Sequence, residues 1–359
     1  MSEVTKRNQL TRLRETFDDS ATGGVVASVL AGVCLIGAFA SFLLSTPYTV
    51  PFLLGFVVAA GYGWVAHQAE MARTLTFIAT VSTVAILGLI TVYVFVEAAP
   101  AFARMGVVEI LTRTEQPLWA TGRGIFSLVP LMWGTLVTTL IATVIAAPFG
   151  VAGALFISEI APRSVREVIK PAVEVLAGIP SIVYGFIGFT VLNTWMTEKF
   201  VLPGQGSLFL AGVVIGFMAL PTTVSTAEDA IAAVPESMKS GSLALGSTEW
   251  QTMKSVTLPT ALSGVSAGVL LGVGRAIGET MAATVILGTV VELPDPLYDV
   301  FGNTITLTSA IAAQYGSAHG IHMNALFAAG VVLFVTVVGL SMIAQYVEAR
   351  MQRKLGGQE

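Results

Sequence analysis

The sequence predicts an all-α polytopic membrane protein of about eight spanning helices, with one helical loop built to contact another protein. Of its 359 residues, 54% are hydrophobic and only 11% are charged; soluble domains carry about a quarter charged residues. No Asp, Glu, Lys or Arg occurs from Ser20 to Ala69, from Thr74 to Val96, from Gly124 to Ser158, or from Phe200 to Ala227. Each run holds at least one helix of about 20 residues, enough to cross a hydrocarbon core of roughly 30 Å. Lysine and arginine also fall mostly on one side of the resulting spans, as the positive-inside rule requires.

Taken in order, the expected spans are 24–44, 48–67, 74–96, 127–157, 172–196, 207–226, 259–291 and 323–347. The polar, mixed-charge stretch Met1–Asp19 is too long for the charged start of a signal peptide, so the first span is expected to be a retained anchor. Ser45-Thr46-Pro47-Tyr48 supplies the turn between the first two spans. With both termini in the cytoplasm, 13 of the 18 basic residues lie inside and Arg104, Arg113, Arg123 and Lys199 outside, with Arg275 within a span. A cell (plasma or inner) membrane location follows. The outer loops 97–126 and 292–322 carry no sign of a folded domain, and Trp119 and Tyr298 read as interfacial anchors.

Several function classes drop out. A net charge of −4 without a basic stripe gives no footprint for nucleic acid. Cys34 is the only cysteine, so no internal disulfide or multi-cysteine metal site forms. His67, His319 and His322 sit in no metal-ligand or nucleophile pattern, and no Gly-x-x-x-x-Gly-Lys-Ser/Thr loop is present. The chain is therefore expected to be no enzyme, with no cofactor and no metal, and to depend on a partner for any ATP hydrolysis.

The cytoplasmic loop 227–258 is the most informative stretch. Ser225 to Asp229 reads as a polar cap followed by acids, and Pro235 fits the first turn of a further helix. Gly246 closes that helix, and Thr248 with Gln251 has capping-box spacing for a second short helix ended by Pro259. Trp250, Met253 and Val256 recur along one face of it, an apolar surface that only a docked helix would bury.

Arg275 and Glu279, four residues apart, would share one helical face inside the span 259–291. An arginine at the bilayer centre costs about 2.5–3.5 kcal/mol on insertion scales. Two roles stand open: a mutually satisfying Arg275–Glu279 pair, or a guanidinium lining a translocation path for an oxyanion. Gly264, Gly268, Gly272 and Ala276 form a small-residue stripe for close helix packing, within the chain or against a second subunit. Pro180, within Ala177–Gly185, and Pro221, followed by Thr222 and Thr223, are expected to break their helices. Ser181, Thr222 and Thr223 would then join Arg275 and Glu279 around an anion path.

These motifs also carry a family resemblance. Gly246, nine residues, then Val256-Thr257-Leu258-Pro259 resembles the coupling loop of ATP-binding-cassette importer permeases, although Ser240-Gly241-Ser242 stands where that family has Glu-Ala-Ala. Ser158–Pro162, Ala177–Gly185, Glu228-Asp229-Ala230 with Ala233-Val234-Pro235, and Gly274–Ala282 resemble phosphate-specific importer permeases, the last in its C-type version. The resemblance covers roughly 73–347 as six spans. It implies a type I ABC importer transmembrane fold with a cytoplasmic coupling helix. The implied partners are a second homologous permease, an ATPase dimer and an extracytoplasmic phosphate-binding protein. It implies ATPase contact at Ser240, Gly241, Ser242, Gly246, Trp250, Leu258 and Pro259, and inorganic phosphate as substrate. The expected division is residues 1–68 with two additional spans, 69–126 with the first core helix and outer loop, 127–347 as permease core, and 348–359 as tail. An ion-coupled secondary transporter for an anion is the alternative, since broken helices and a buried Arg/Glu pair also mark that class.

Overall fold

The computed structural model describes residues 22–200 and 205–355; the polar start Met1–Asp19 lies outside them. The contacts divide the chain into two units, residues 1–92 and 93–359.

In the first unit, α1 (Thr22–Leu43) and α2 (Thr49–Ala66) form a helical hairpin. Its turn falls where the sequence placed it: Ser45 has φ +52° and the Thr46 N–H donates to the Ser41 carbonyl at 2.9 Å. The first turns of α3 (Gln68–Met105) close this unit. Met71 is buried with Ala27 and Ala31, and the Thr74 hydroxyl donates to Ser28 Oγ at 3.0 Å.

The second unit runs from the end of α3 through α4 (Val107–Thr112) and a two-stranded ribbon, β1 (Trp119–Ala120) and β2 (Ile125–Phe126). Next come α5 (Val129–Leu155), prolonged by a π turn over Phe156–Ile160, and α6 (Arg163–Gly178). α7 (Ser181–Ile187) passes through a second π turn, Gly188–Asn193, into α8 (Thr194–Phe200). Then follow α9 (Leu208–Ala232), α10 (Glu236–Ala244) and α11 (Glu249–Thr252). A third π turn, Met253–Thr257, leads into α12 (Leu258–Ile277). Last are α13 (Met281–Leu287), α14 (Leu307–Gln314) and α15 (Ile321–Leu355).

Among the described residues seven helices are long and apolar enough to cross a membrane, or eight if a pair bent by 90° counts as one span. That pair corrects the span 172–196. α6 carries Arg163, Arg166, Glu167, Lys170 and Glu174, too much charge for hydrocarbon, and the chain turns at Pro180 before the apolar stretch begins. Residues 181–199 then rise about 28 Å at 1.5 Å per residue, a full crossing. The span 259–291 is also corrected, because α12 ends at Ile277 and only the short α13 follows.

Two proline expectations fail for identifiable reasons. Pro221 lies inside a continuous α9, so neither it nor the capping signal at Ser225–Asp229 breaks the helix. Packing against α5 and α12 on two sides overrides the local preference. Pro259 does not end a helix either: residues 249–277 form one continuous rod. The π turn just before it widens the ladder, and the proline sits in the first turn of α12, where a missing N–H is tolerated.

α9 is the axis of the second unit, with 67% of its apolar window buried against 28% for α5 and for the 249–277 rod. Its Ser207 cap accepts from the Leu210 N–H at 3.1 Å. The small-residue stripe of α12 packs on α9 of this same chain, Gly264 against Ala230 and Gly268 against the backbone of Thr223 and Ala227. Thr223 is fully buried and wedged between two glycines. A Cβ at Gly272 would meet its Oγ1 at 2.2 Å, and one at Gly150 its Cγ2 at 2.5 Å.

The segments 97–126 and 292–322, which carry no sign of a folded domain in the sequence, form a cap over one end of this unit. Ile110, Leu128, Leu131, Ile305 and Leu307 share a buried core there. Trp119 is not a free anchor: its Nε1–H donates to Gln314 Oε1 at 2.9 Å and its ring packs edge-on to Phe126. His322 stacks on Phe126 and meets the same Gln314 oxygen at 2.9 Å. Tyr298 remains exposed.

Widening the α9–α12 contact should weaken the whole unit. Gly272→Val is expected to cost about 1–3 kcal/mol, the usual penalty of overpacking, read as a lower thermal midpoint in detergent. An unchanged midpoint would contradict the wedge.

Candidate coupling surface and intramembrane site

At the end of the second unit opposite the cap lie Arg163, Arg166, Lys170, Lys239 and Lys254, and here α10 is exposed along most of its length. Its end is a Schellman motif: the Gly246 N–H donates to the Leu243 carbonyl at 2.9 Å and the Ser247 N–H to the Ser242 carbonyl at 3.4 Å. Gly246 has φ +87°, a left-handed conformation that a side chain strains. The capping box is formed as expected, Thr248 Oγ1 accepting from the Gln251 N–H and Gln251 Oε1 from the Thr248 N–H.

Of the residues expected at an ATPase contact, Ser240, Gly241, Gly246 and Trp250 are exposed, and Ser242 is half-buried, joined to Thr252 at 3.0 Å. Leu258 and Pro259 are half-buried at the foot of α12, where Leu258 packs on Ala154, Ala227 and Ile231. They support the surface and do not present it. The single-face reading of Trp250, Met253 and Val256 is corrected: Trp250 is 65% exposed, whereas Met253 is buried in the chain. Leu245, 90% exposed, is the apolar tip that the sequence reading missed. Met238 and Leu243 extend the patch along α10.

Charge fixes this surface to the bundle. Lys239 Nζ lies 2.7 Å from Glu159 Oε1 in the first π turn. Lys170 Nζ on α6 lies 2.6 Å from the buried Glu228 and 3.7 Å from Asp229 on α9.

The intramembrane site is built where two interrupted helices meet. α7, which begins just after Pro180, packs against α13, which begins just after the Gly278–Thr280 break. A Cβ at Gly185 would lie 2.8 Å from the Ala282 Cα, so the two half-helices touch backbone to backbone. Each break is tied by a hydroxyl. The Tyr184 O–H donates to the Leu176 carbonyl across Pro180 at 3.1 Å. Thr308 Oγ1 donates to the Glu279 carbonyl at 2.7 Å. Asn303 adds a donor to the Leu287 carbonyl at 3.0 Å.

Because α12 stops at Ile277, Arg275 and Glu279 no longer share a helical face, and no ion pair joins them among the described residues. Glu279 turns to the first turn of α13, accepting from the Ala282 N–H at 3.1 Å. Arg275 is exposed in the single chain, within electrostatic reach of Tyr184. It stands at a cavity of about 520 Å³ between α12 and α15, with Leu271, Val337, Ser341 and Gln345. Ser181 is half-buried at the start of α7. Thr222 is half-buried on α9, and no hydrogen bond among the described residues links it to Arg275. Thr223, the wedge described above, is fully buried and donates to the Ala219 carbonyl at 3.2 Å. Among the described residues no three His, Cys, Asp or Glu side chains gather as a metal site.

Thr308→Val keeps the shape of the second tie but leaves the Glu279 carbonyl without its donor. It should lower stability by about 1–3 kcal/mol, measured as a shift in thermal midpoint. No shift would show the tie to be dispensable.

The family described as binding-protein-dependent transport system inner membrane component matches residues 146–353. The chain is 37% identical over 267 residues to the probable ABC transporter permease protein YqgH of Bacillus subtilis, covering 73% of this chain and 84% of that protein. It is 30% identical over 298 residues to the phosphate transport system permease protein PstC of Mesorhizobium japonicum, covering 77% and 89%. A solved bacterial alginate ABC transporter in complex with its pentasaccharide-bound periplasmic protein shares the fold at TM-score 0.54 and 14% identity, over 81% of this chain and 99% of that one. Fold, breaks and matches converge: the chain belongs to the binding-protein-dependent transport system inner membrane components and has the type I ABC importer transmembrane fold.

Proposed function

We propose that this chain is the C-type permease subunit of an ATP-driven importer of inorganic phosphate. It moves the ion inward by alternating access beside a second, homologous permease. A separate ATPase dimer supplies the energy, and an extracytoplasmic binding protein delivers the phosphate.

The exposed helix α10 with its apolar tip carries this reading. Met238, Leu243, Leu245 and Trp250 project from the basic end of the bundle, where the positive-inside rule places the cytoplasm. Both termini are then cytoplasmic as well. A helix that shows apolar side chains to water fits a groove on a second protein. The sequence holds no phosphate-cradling nucleotide loop, so that second protein is the one that hydrolyses ATP. Ion-coupled secondary transport leaves this surface without a partner.

Phosphate as substrate is supported by the relatives named as phosphate transport permeases and by the chemistry of Arg275. A guanidinium with no ion-pair partner among the described residues is costly at membrane depth, and its planar fork matches two oxygens of a phosphate. Ser181, beside the Pro180 break, adds a hydroxyl to the same path. The hairpin α1–α2 is additional to the permease core.

Arg275→Gln should lower ATP-dependent phosphate uptake by at least about tenfold, the loss of one charge-assisted contact, with assembly intact. Unchanged uptake would remove Arg275 from the path. Gly246→Pro, which imposes a φ near −65° where +87° is needed, should leave the protein inserted and uncouple uptake from ATP. Normal coupling in that variant would show that the shape of the α10–α11 junction is immaterial.

A further inference from the structure

The coupling helix α10 is joined through the chain only to α9 and α11, yet the broken helix α7 lies on neither. How motion of α10 reaches the Pro180 break is therefore a question for non-local contacts, and the structure holds one continuous set. Lys239, in the middle of α10, meets Glu159 at 2.7 Å across 80 residues of sequence. The two side chains are only 15% and 14% exposed, so the pair is shielded from water and salt and holds its geometry. Glu159 sits in the π turn that ends the α5 rod, a backbone element with one residue too many for an α turn. From the same turn the Ser158 carbonyl accepts from Arg166 Nη2, which starts α6, and α6 ends at the Pro180 break.

α6 has a second hold four residues further on, where Lys170 meets Glu228 of α9 at 2.6 Å. A shift of the π turn against α9 would swing α6 about that point and open or close the bend above it. Arg166 Nε is buried with no hydrogen-bond partner, a donor available to a second arrangement of this joint.

We propose that the Lys239–Glu159 ion pair is the strut by which the coupling helix drives the bend at Pro180, with Arg166 as its relay. The two are positioning residues, acting on the path through α6. The proposal rests on the reading of α10 as an ATPase contact.

The test is a double-mutant cycle on the complete complex in proteoliposomes, read as phosphate taken up per ATP hydrolysed. Lys239→Gln and Glu159→Gln are each expected to lower that ratio by about tenfold, the scale on which interrupted coupling routes act. The exchange Lys239→Glu with Glu159→Lys is expected to restore it to within about twofold, and Lys239→Arg, which keeps the charge, to retain it. Single variants with the wild-type ratio overturn the strut, as does a Lys239→Arg variant as impaired as Lys239→Gln. A wild-type complex with no ATP-linked phosphate uptake overturns the functional reading instead. The strut is then still read from the ATP-induced change in distance between spin labels at positions 186 and 238, in a Cys34→Ser background. That change is lost in the single variants if the pair transmits motion, and its persistence there overturns the proposal.

Discussion

Every backbone amide and carbonyl that leaves a helix inside a membrane must find its partner in the protein, because lipid offers none. This constraint explains where the chain is regular and where it is not. The α5, α9 and α12 rods keep their ladders intact and gain contact through small residues, with Thr223 seated between Gly150 and Gly272. Among the described residues, two short helices that pack against each other, α7 and α13, each begin at a break in the chain, and each break comes with its own donor. Tyr184 serves the Leu176 carbonyl beside Pro180, and Thr308 serves the Glu279 carbonyl beside Gly278. Irregular backbone is expensive in lipid, and its concentration at one point marks where the chain does more than pack.

α12 divides its labour along its length. The glycine stripe as far as Gly272 is consumed by α9 of the same chain, whereas Arg275, near the end of the helix, is exposed and joined to no carboxylate among the described residues. A helix that only packed would have no reason to keep a guanidinium there. At the basic end the same economy appears in reverse: the charged residues Lys239, Glu159 and Glu228 are paired and shielded, Glu228 by the half-exposed Lys170, and the apolar ones, Leu245 and Trp250, face water. That inversion is what a docking surface mounted on a rigid base looks like.

Much of this was legible in the sequence, and the failures share a cause. Uncharged runs located the crossings because charge is excluded from hydrocarbon whatever the fold. Gly246 and the Thr248–Gln251 box were legible because caps act within four residues. Pro221 and Pro259 misled because a local rule was read without neighbours: buried packing holds α9 straight, and a π turn accommodates Pro259. The Arg275–Glu279 pairing assumed helix through Gly278, where the chain in fact breaks. No sequence signal could join Glu159 to Lys239 or Lys170 to Glu228, since only the tertiary fold brings them together. The cap over 97–126 and 292–322 was missed for the same reason, its order residing in Trp119 and Phe126 from one segment and Gln314 and His322 from the other.

The central claim is that nucleotide hydrolysis on a partner, transmitted through α10, powers anion movement past Arg275. Uptake of radiolabelled phosphate into proteoliposomes holding the purified complex and its binding protein tests it most directly. The account predicts uptake that requires ATP on the α10 side and persists when ionophores collapse every ion gradient. Uptake that continues without ATP and stops with the gradient would contradict it.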